Sequence, residues 1–62
     1  MNGYYARIIV ILKNCGFIFD RQGKGSHEMW IKGHVSVTVS KNCDSRHTAN
    51  GIMKQAGIDH KF

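Results

Sequence analysis

The feature that most constrains the fold is a six-residue segment, "VSVTVS", at positions 35–40. Valine alternates there with serine or threonine at every step, and such a period of two is typical of a strand that buries one face. A half-buried strand requires pairing partners and a layer that covers its apolar side. The segment therefore predicts a sheet with one covered face and one face open to water.

Two further strands are predicted before this segment. "FIFDR", at 17–21, is short, aromatic and follows a glycine, and "SHEMWIK", at 26–32, comes after it. The turn-forming "QGKG", at 22–25, separates these two strands, and the tight connection "GH", at 33–34, leads into the third. The chain is therefore expected to form three sequential antiparallel strands.

A helix is predicted ahead of the strands, from Gly3 to Cys15. Apolar or half-polar side chains recur there at helical spacing, and Gly16 stands just past the end. The β-branched "IIVI" also suits a strand, but Asn2 as a candidate N-cap and Lys13 near the C-terminal end favour the helix. The positions at helical spacing are Tyr5, Ile8, Leu12 and Cys15.

A second helix is predicted after the polar, turn-rich "KNCDSRH" at 41–47. Ser45 or Thr48 can cap this helix and Gly57 ends it. Its apolar positions are Ala49, Ile52, Met53 and Ala56. The result is an α+β fold of order α-β-β-β-α, with two helices on one face of a three-stranded antiparallel sheet. This is the arrangement of a double-stranded-RNA-binding domain, an analogy of fold that does not settle activity.

The length and charge of the chain restrict its function. With 62 residues we expect a single domain over 1–62, too small to enclose a deep pocket for a small metabolite. Nine Lys and Arg against four Asp and Glu give a formal charge of +5, which favours a polyanion or an acidic protein partner. The basic residues are spread along the chain, which favours a folded basic face over a basic tail.

The cysteines and the apolar runs of the sequence favour a cytoplasmic location. Cys15 and Cys43 form no CxxC motif, and no signal-peptide pattern precedes them, so free thiols in a cytoplasmic protein are favoured over a disulfide. The longest apolar run, Ile8 to Leu12, is far too short to cross a bilayer. We therefore expect no membrane association.

Histidine is the candidate for proton transfer, because its ordinary pKa lies near neutrality. His60 in the tail and His34 in a tight turn suit solvated surface positions, and His47 near the second helix suits either a phosphate contact or a plain surface role. His27 follows Arg21 and Lys24 across a turn with two glycines. There, cations and N–H donors could meet a phosphate beside the imidazole, although a basic hairpin with a histidine is also common in proteins without catalysis.

Strand parity leaves the orientation of His27 open. Strict alternation places His27 on the same side as Met29 and Ile31, opposite Glu28 and Trp30. Either that side is the open one, or His27 must lie at the margin of the sheet to reach a substrate.

Other kinds of site have weaker support. A metal site from His27, His34, Cys43 and His47 lacks the spacing of known zinc motifs. "GKGSH" lacks the spacing of a P-loop or a GxGxxG motif, so nucleotide binding is unsupported. We expect Cys15 to be buried at a helix end and Cys43 to lie in a polar loop, and neither thiol to be reactive. Tyr4, Tyr5 and Trp30 could stack on bases, but Tyr5 and Trp30 are at least as well explained by packing.

Several short motifs occur together in one order: "CGF" after the first helix, "GKGSHEMW" at Gly23–Trp30, and "TANGIMKQAGI" at Thr48–Ile58. In this combination the chain resembles the HicA, or YcfA-like, family of small toxins of type II toxin–antitoxin systems. The resemblance covers nearly the whole chain. It departs from the family at Ser40, where proline is usual, and in a shorter following loop, which leaves substrate preference and antitoxin contacts there undefined.

The resemblance implies an mRNA-cleaving enzyme with a dsRNA-binding-like fold, inhibited by a HicB antitoxin. It also implies that the histidine of Gly-Ser-His, here His27, is the residue required for cleavage. We expect Lys24, Arg21, Ser26 and Gly25 to contact substrate, and no metal or other cofactor to take part.

The main rival hypothesis is a non-catalytic module that binds double-stranded RNA. The chain offers only Lys41, Arg46 and Lys54 where such a domain has a lysine cluster, which favours the toxin. A pure interaction protein for an acidic partner is the second rival, and the net charge does not separate it from the toxin.

Overall fold

A computed structural model describes residues 3–62 of the chain. Its elements are α1 (Tyr5–Asn14), β1 (Ile18–Gln22), β2 (His27–Lys32), β3 (Val35–Ser40) and α2 (Arg46–Gln55). The strands form an antiparallel sheet in the order β1-β2-β3. The predicted α+β class and the α-β-β-β-α order are confirmed.

The first helix is shorter than predicted. It begins at Tyr5 rather than Gly3, with Tyr4 at the N-cap position and no side-chain cap, while Asn2 lies outside the described residues. At its end Gly16 takes a φ of 97°, and the N–H of Phe17 donates to the carbonyl of Leu12 at 2.9 Å. This bond and the left-handed glycine form a Schellman cap. Because Phe17 serves the helix end, β1 starts one residue later than predicted, at Ile18.

The second helix uses Ser45 as its N-cap. The Ser45 hydroxyl accepts a hydrogen bond from the N–H of Thr48 at 3.5 Å, and Thr48 itself lies inside α2. At the other end Gly57 takes a φ of 73°, and the N–H of Ile58 donates to the carbonyl of Met53 at 2.9 Å. Of the two predicted caps, the structure selects Ser45, and the predicted end at Gly57 is confirmed.

The core lies between the sheet and the two helices, which cover the same face. Among residues 3–62 it contains eleven buried hydrophobic side chains: Ile8, Leu12, Phe17, Trp30, Val37, Val39, Cys43, Ala49, Ile52, Met53 and Ala56. Cys43 lies in the polar loop between β3 and α2, as predicted, but this loop turns inward at Cys43 and buries its side chain among apolar neighbours. Cys15 is half-buried, and both thiols are free.

The register of the strands decides which face is open. On β2, Glu28 and Trp30 are buried under the helices, whereas His27 is exposed and Met29 and Ile31 are half-buried. Of the two readings that parity allowed, the open side is therefore the side that His27 shares with Met29 and Ile31. Within the described part of the chain, no helix is long and apolar enough to span a membrane.

Candidate functional site

The candidate site is the hairpin between β1 and β2. The N–H of His27 donates to the carbonyl of Lys24 at 3.0 Å, and the N–H of Gly23 donates to the carbonyl of His27 at 2.8 Å. Gly25 takes a φ of 57°, which a glycine adopts without steric strain at this position of a tight turn. These bonds place His27 at the first position of β2, at one end of the open face.

The imidazole of His27 has a defined hydrogen-bond partner. Its Nδ1 lies 3.2 Å from the carbonyl oxygen of Lys24. A carbonyl oxygen only accepts, so a hydrogen bond there requires the proton on Nδ1 and leaves the Nε2 lone pair free in the neutral ring. The His27 side chain is exposed, so Nε2 is accessible to a substrate on the open face.

The hairpin is braced by polar side chains that sequence reasoning did not assign to the site. The Nε2 of Gln22 donates to the carbonyls of Gly25 at 2.9 Å and His27 at 3.0 Å. From the segment after β3, the N–H of Lys41 donates to the carbonyl of Ser26 at 2.8 Å, and Asn42 Nδ2 donates to Ser26 Oγ at 3.0 Å. The place of Gln22 in the predicted turn at 22–25 was the one sequence signal that it could contact the hairpin backbone. The contact of Asn42 with Ser26 depends on tertiary structure.

The residues predicted to contact substrate lie at the end of β1 and in the turn that precedes His27. Arg21 is opposite Met29 in the register, which places it on the open face, and its guanidinium pairs with Asp20 at 3.1 Å. The Arg21 side chain is 71% exposed, so solvent weakens this pair and Arg21 can exchange Asp20 for another anion. Lys24 is exposed in the turn.

The backbone of the turn also offers hydrogen-bond donors. Within residues 3–62, the N–H groups of Gly25 and Ser26 have no hydrogen-bond acceptor. The Ser26 hydroxyl accepts from Asn42 and so keeps its own proton available for donation. The structure thus brings Gly25 and Ser26 together with His27 at one exposed turn.

A buried carboxylate lies beneath the site, on the opposite face of β2. Glu28 is 8% exposed, and its Oε1 accepts hydrogen bonds from the Tyr5 hydroxyl at 2.7 Å and from Trp30 Nε1 at 3.1 Å. Its Oε2 lies 3.6 Å from Lys41 Nζ. This Glu28 network joins α1, β2 and the segment after β3. In the sequence, only strand parity, which puts Glu28 on the same side of β2 as Trp30, indicated that these two residues could interact.

The Glu28 network changes the acidity of two of its members. Burial alone would raise the pKa of Glu28, but hydrogen bonds from Tyr5 and Trp30 and the charge of Lys41 outweigh it and lower this pKa. Burial, together with the adjacent Glu28 carboxylate, raises the pKa of Tyr5 to about 12. The stable form at neutral pH is therefore an ionised Glu28 and a protonated Tyr5.

The other candidate residues lie apart from the hairpin. His34 is exposed in the turn between β2 and β3, His47 is exposed on α2, and His60 packs edge-on against Phe62 at 4.7 Å. Cys43 lies in the core. Across residues 3–62, no three or more His, Cys, Asp and Glu side chains are grouped so that they could hold a metal ion.

Comparison with known families identifies the chain. The family model described as "HicA toxin of bacterial toxin-antitoxin" matches residues 5–58. The chain belongs to the HicA toxin family. Comparisons with curated proteins and with solved structures gave no significant match. As a HicA family member the protein is the toxin of a bacterial toxin–antitoxin system, and this role implies an antitoxin partner.

The HicA match runs from the first residue of α1 to the residue after Gly57. It includes the hairpin that carries His27, the Glu28 network and both helix ends. The resemblance predicted from "GKGSHEMW" and "TANGIMKQAGI" is therefore confirmed at the level of the family.

Proposed function

We propose that this HicA-family toxin is a metal-independent endoribonuclease that cleaves mRNA in the cytoplasm, with His27 as the catalytic residue. The observation that carries the proposal is the position of the His27 ring. It is exposed on the open face, and its Nδ1 hydrogen bond to the Lys24 carbonyl leaves Nε2 to accept a proton. RNA supplies its own nucleophile in the ribose 2′-hydroxyl, so no protein nucleophile is required.

In the proposed reaction, His27 Nε2 takes the proton of a 2′-hydroxyl while the 2′-oxygen attacks the adjacent phosphorus. The bond between phosphorus and the 5′-oxygen breaks, and that oxygen takes a proton from the imidazolium or from water. The products are a 2′,3′-cyclic phosphate and a 5′-hydroxyl end. General-base catalysis contributes about 10²- to 10⁴-fold, so we expect a modest rate.

The residues around His27 supply the electrostatic part of the mechanism. Lys24 in the turn and Arg21 on the open face place positive charge beside the reacting phosphate. The N–H groups of Gly25 and Ser26 and the Ser26 hydroxyl offer hydrogen bonds to its non-bridging oxygens. Negative charge on the non-bridging oxygens increases in the transition state, so these donors stabilise that state more than the bound substrate.

We propose that a HicB-type antitoxin inhibits the toxin by covering the hairpin. The support is the family's implied antitoxin partner, the net charge of +5 and the exposure of His27, Lys24 and Arg21. An acidic partner that neutralises this surface would exclude RNA from it.

The test uses purified wild type, His27→Ala and the matched control His34→Ala, each incubated with RNA in EDTA. His34 is also exposed, but it lies in the turn at the other end of β2. We expect His27→Ala to lose about 10²- to 10⁴-fold in cleavage rate, and His34→Ala to cleave as wild type does. The cut RNA should carry 2′,3′-cyclic phosphate ends.

Three outcomes would contradict the mechanism. Equal cleavage by wild type and His27→Ala would remove His27 from it, and loss of wild-type cleavage in EDTA would show that a metal is required. Salt-sensitive binding of RNA that stays intact would favour the non-catalytic RNA-binding module instead. Growth arrest on expression, relieved by His27→Ala, would separate the nuclease from a pure interaction protein.

A further inference from the structure

A groove of about 460 Å³ lies between α2 and the C-terminal segment that follows it, formed by residues other than those of the β1–β2 hairpin. His47, Gly51 and Lys54 line it from the helix, and Asp59 and Lys61 line it from the segment. His47, Gly51 and Lys54 occur at positions i, i+4 and i+7, so they share one face of α2. His47 and Lys54 are about 10.5 Å apart along the helix axis.

The second wall of the groove is held in place by specific contacts. The N–H of Phe62 donates to Oδ1 of Asn50 on α2 at 2.8 Å. The Phe62 ring packs edge-on against Tyr4 at 5.2 Å, and the guanidinium of Arg7 lies 5.7 Å from the centre of the same ring. The C-terminal segment is thus fastened to both helices, and the groove is a defined part of the fold.

The groove presents positive charge to solvent. Lys54 and Lys61 are exposed, and Asp59 is the single carboxylate that lines the groove with them. The salt bridges found in residues 3–62 are Arg21–Asp20 and Lys41–Glu28, so Asp59 is not within ion-pair distance of either groove lysine. Two lysines on opposite walls thus outnumber the one carboxylate, and this excess of positive charge suits an anion with charges repeated along its length.

Gly51 has no role in the packing of the protein. It lies in the middle of α2, it is exposed, and a Cβ built on it would meet nothing within 4 Å. Glycine is the least favourable residue after proline inside a helix, so alanine would strengthen α2 at this position. Because Gly51 has no side chain, the helix surface between His47 and Lys54 is open, and the backbone of a ligand can approach it closely.

We propose that this groove binds the sugar–phosphate backbone of RNA, as a second contact for the strand that is cut at the hairpin. That the ligand is RNA rests on the proposed function. The N–H of Lys41 donates to the carbonyl of Ser26, next to His27, and the chain from Lys41 to His47 spans at most about 22 Å, so one RNA strand can reach both the groove and the hairpin. Lysine suits phosphate as a point charge, and the groove needs no base contacts to hold a backbone.

The test measures binding separately from cleavage, with a fluorescent single-stranded RNA whose riboses are 2′-O-methylated and which therefore lacks the nucleophile. Affinities are measured over a salt series for wild type, Gly51→Ala and Lys54→Gln. Two matched controls lie outside the groove: Thr48→Ala on α2 and Lys13→Gln on α1. Thermal unfolding of each variant is recorded in parallel.

Gly51→Ala is expected to raise Tm by roughly 4–8 °C and yet to weaken RNA binding by about threefold or more, a combination that general destabilisation cannot produce. Lys54→Gln is expected to weaken binding and to reduce the slope of log K against log salt by about 0.7. Thr48→Ala and Lys13→Gln should bind with wild-type affinity and slope.

The proposal would be overturned if Gly51→Ala and Lys54→Gln both bound RNA with wild-type affinity and salt slope. If those variants instead lost affinity for the antitoxin, the groove would be a protein-binding site. Groove-dependent binding by a wild type that leaves ordinary RNA intact would support the groove and contradict the nuclease. Cleavage of ordinary RNA, together with RNA binding that the groove variants do not change, would support the nuclease and contradict the groove.

Discussion

Replacement of Glu28 by alanine removes the only acceptor that the structure gives to two donors in residues 3–62. The Tyr5 hydroxyl and Trp30 Nε1 both donate to Oε1 of Glu28, at 2.7 and 3.1 Å. Trp30 is 5% exposed, so after the substitution its N–H stays in the core without a partner. Tyr5 is half-buried and its hydroxyl can turn toward water.

The size of the effect follows from these two positions. A hydrogen bond to a charged group contributes about 1.5–3 kcal/mol, and a buried donor left unpaired carries the full desolvation penalty. With the Trp30 bond lost in full and the Tyr5 bond lost in part, Glu28→Ala should lower the free energy of unfolding by about 2–4 kcal/mol. At roughly 0.05–0.15 kcal/mol per residue, a chain of 62 residues has about 3–9 kcal/mol in total. The variant should therefore be close to unfolded in water or strongly destabilised.

Glu28→Gln is the matched control for charge. The amide oxygen of glutamine can accept from both donors, so this variant keeps two neutral hydrogen bonds and loses their charge assistance and the interaction with Lys41 at 3.6 Å. The lysine side chain is 43% exposed, and a pair in such a solvated position contributes about 0–1 kcal/mol. We therefore expect the alanine variant to be less stable than the glutamine variant by about 1–2 kcal/mol, the contribution of the two neutral hydrogen bonds that glutamine keeps.

The assay is urea unfolding followed by the fluorescence of Trp30, the single tryptophan, at several pH values. The folded protein lowers the pKa of Glu28 from its ordinary value of 4.5, so the stabilisation that comes from ionised Glu28 is fully present above pH 4.5. It is lost as the pH falls through the lower pKa of the folded state. Glu28→Gln should lack this part of the acid-induced loss.

Equal destabilisation by alanine and glutamine would refute the argument, because it would make the charge and not the two hydrogen bonds decisive. A cost below about 1 kcal/mol for alanine would show that Trp30 Nε1 finds another partner. Identical acid profiles for wild type and Glu28→Gln would contradict the lowered pKa.

Two further predictions concern the neighbours of this network and the hairpin. Because desolvation and Glu28 raise the pKa of Tyr5 from 10.0 to about 12, stability should fall as pH rises from about 10 through 12, and Tyr5→Phe should lack that decline in an alkaline unfolding series. Gly23→Ala would place a Cβ 3.3 Å from the carbonyl oxygen and 3.5 Å from the Cβ of His27, so we expect RNA cleavage to fall by about 10- to 100-fold as the hairpin shifts. Wild-type cleavage by Gly23→Ala would show that the hairpin position does not limit the reaction.

The elements of the fold were largely predictable because local signals agree with the tertiary structure. The alternation at Val35–Ser40 places Val37 and Val39 in the core, and both glycines predicted to end helices, Gly16 and Gly57, have positive φ. Val35 is 40% exposed, since it lies at the end of the strand beside the turn at Gly33. One departure occurs at Phe17, whose N–H caps α1 and which therefore lies outside β1.

The position of His27 beside a turn was predictable, but the face of the sheet that it shares was not. Along β2, Met29 and Ile31 are apolar and so is Trp30 on the opposite side, so periodicity alone could not tell the covered face from the open one. An ionised side chain is rarely buried without partners, so the identity of Glu28 alone gives no sign that its side of the strand is covered. Its partners, Tyr5 and Lys41, are far from it in the sequence, and only tertiary structure brings them together.

His27 and Glu28 are adjacent in β2 and point to opposite faces of the sheet. Lys41 contacts both the Glu28 network and the hairpin that carries His27. The side chain of Lys41 pairs with Glu28, while its backbone N–H donates to the carbonyl of Ser26, next to His27. The backbone bond does not depend on the side chain, so loss of the ion pair alone should leave the hairpin in place. The core therefore supports the hairpin mainly through the position of the chain at Lys41 and only weakly through charge. It follows that substitutions of the Glu28 network should change stability much more than the cleavage rate of the molecules that remain folded.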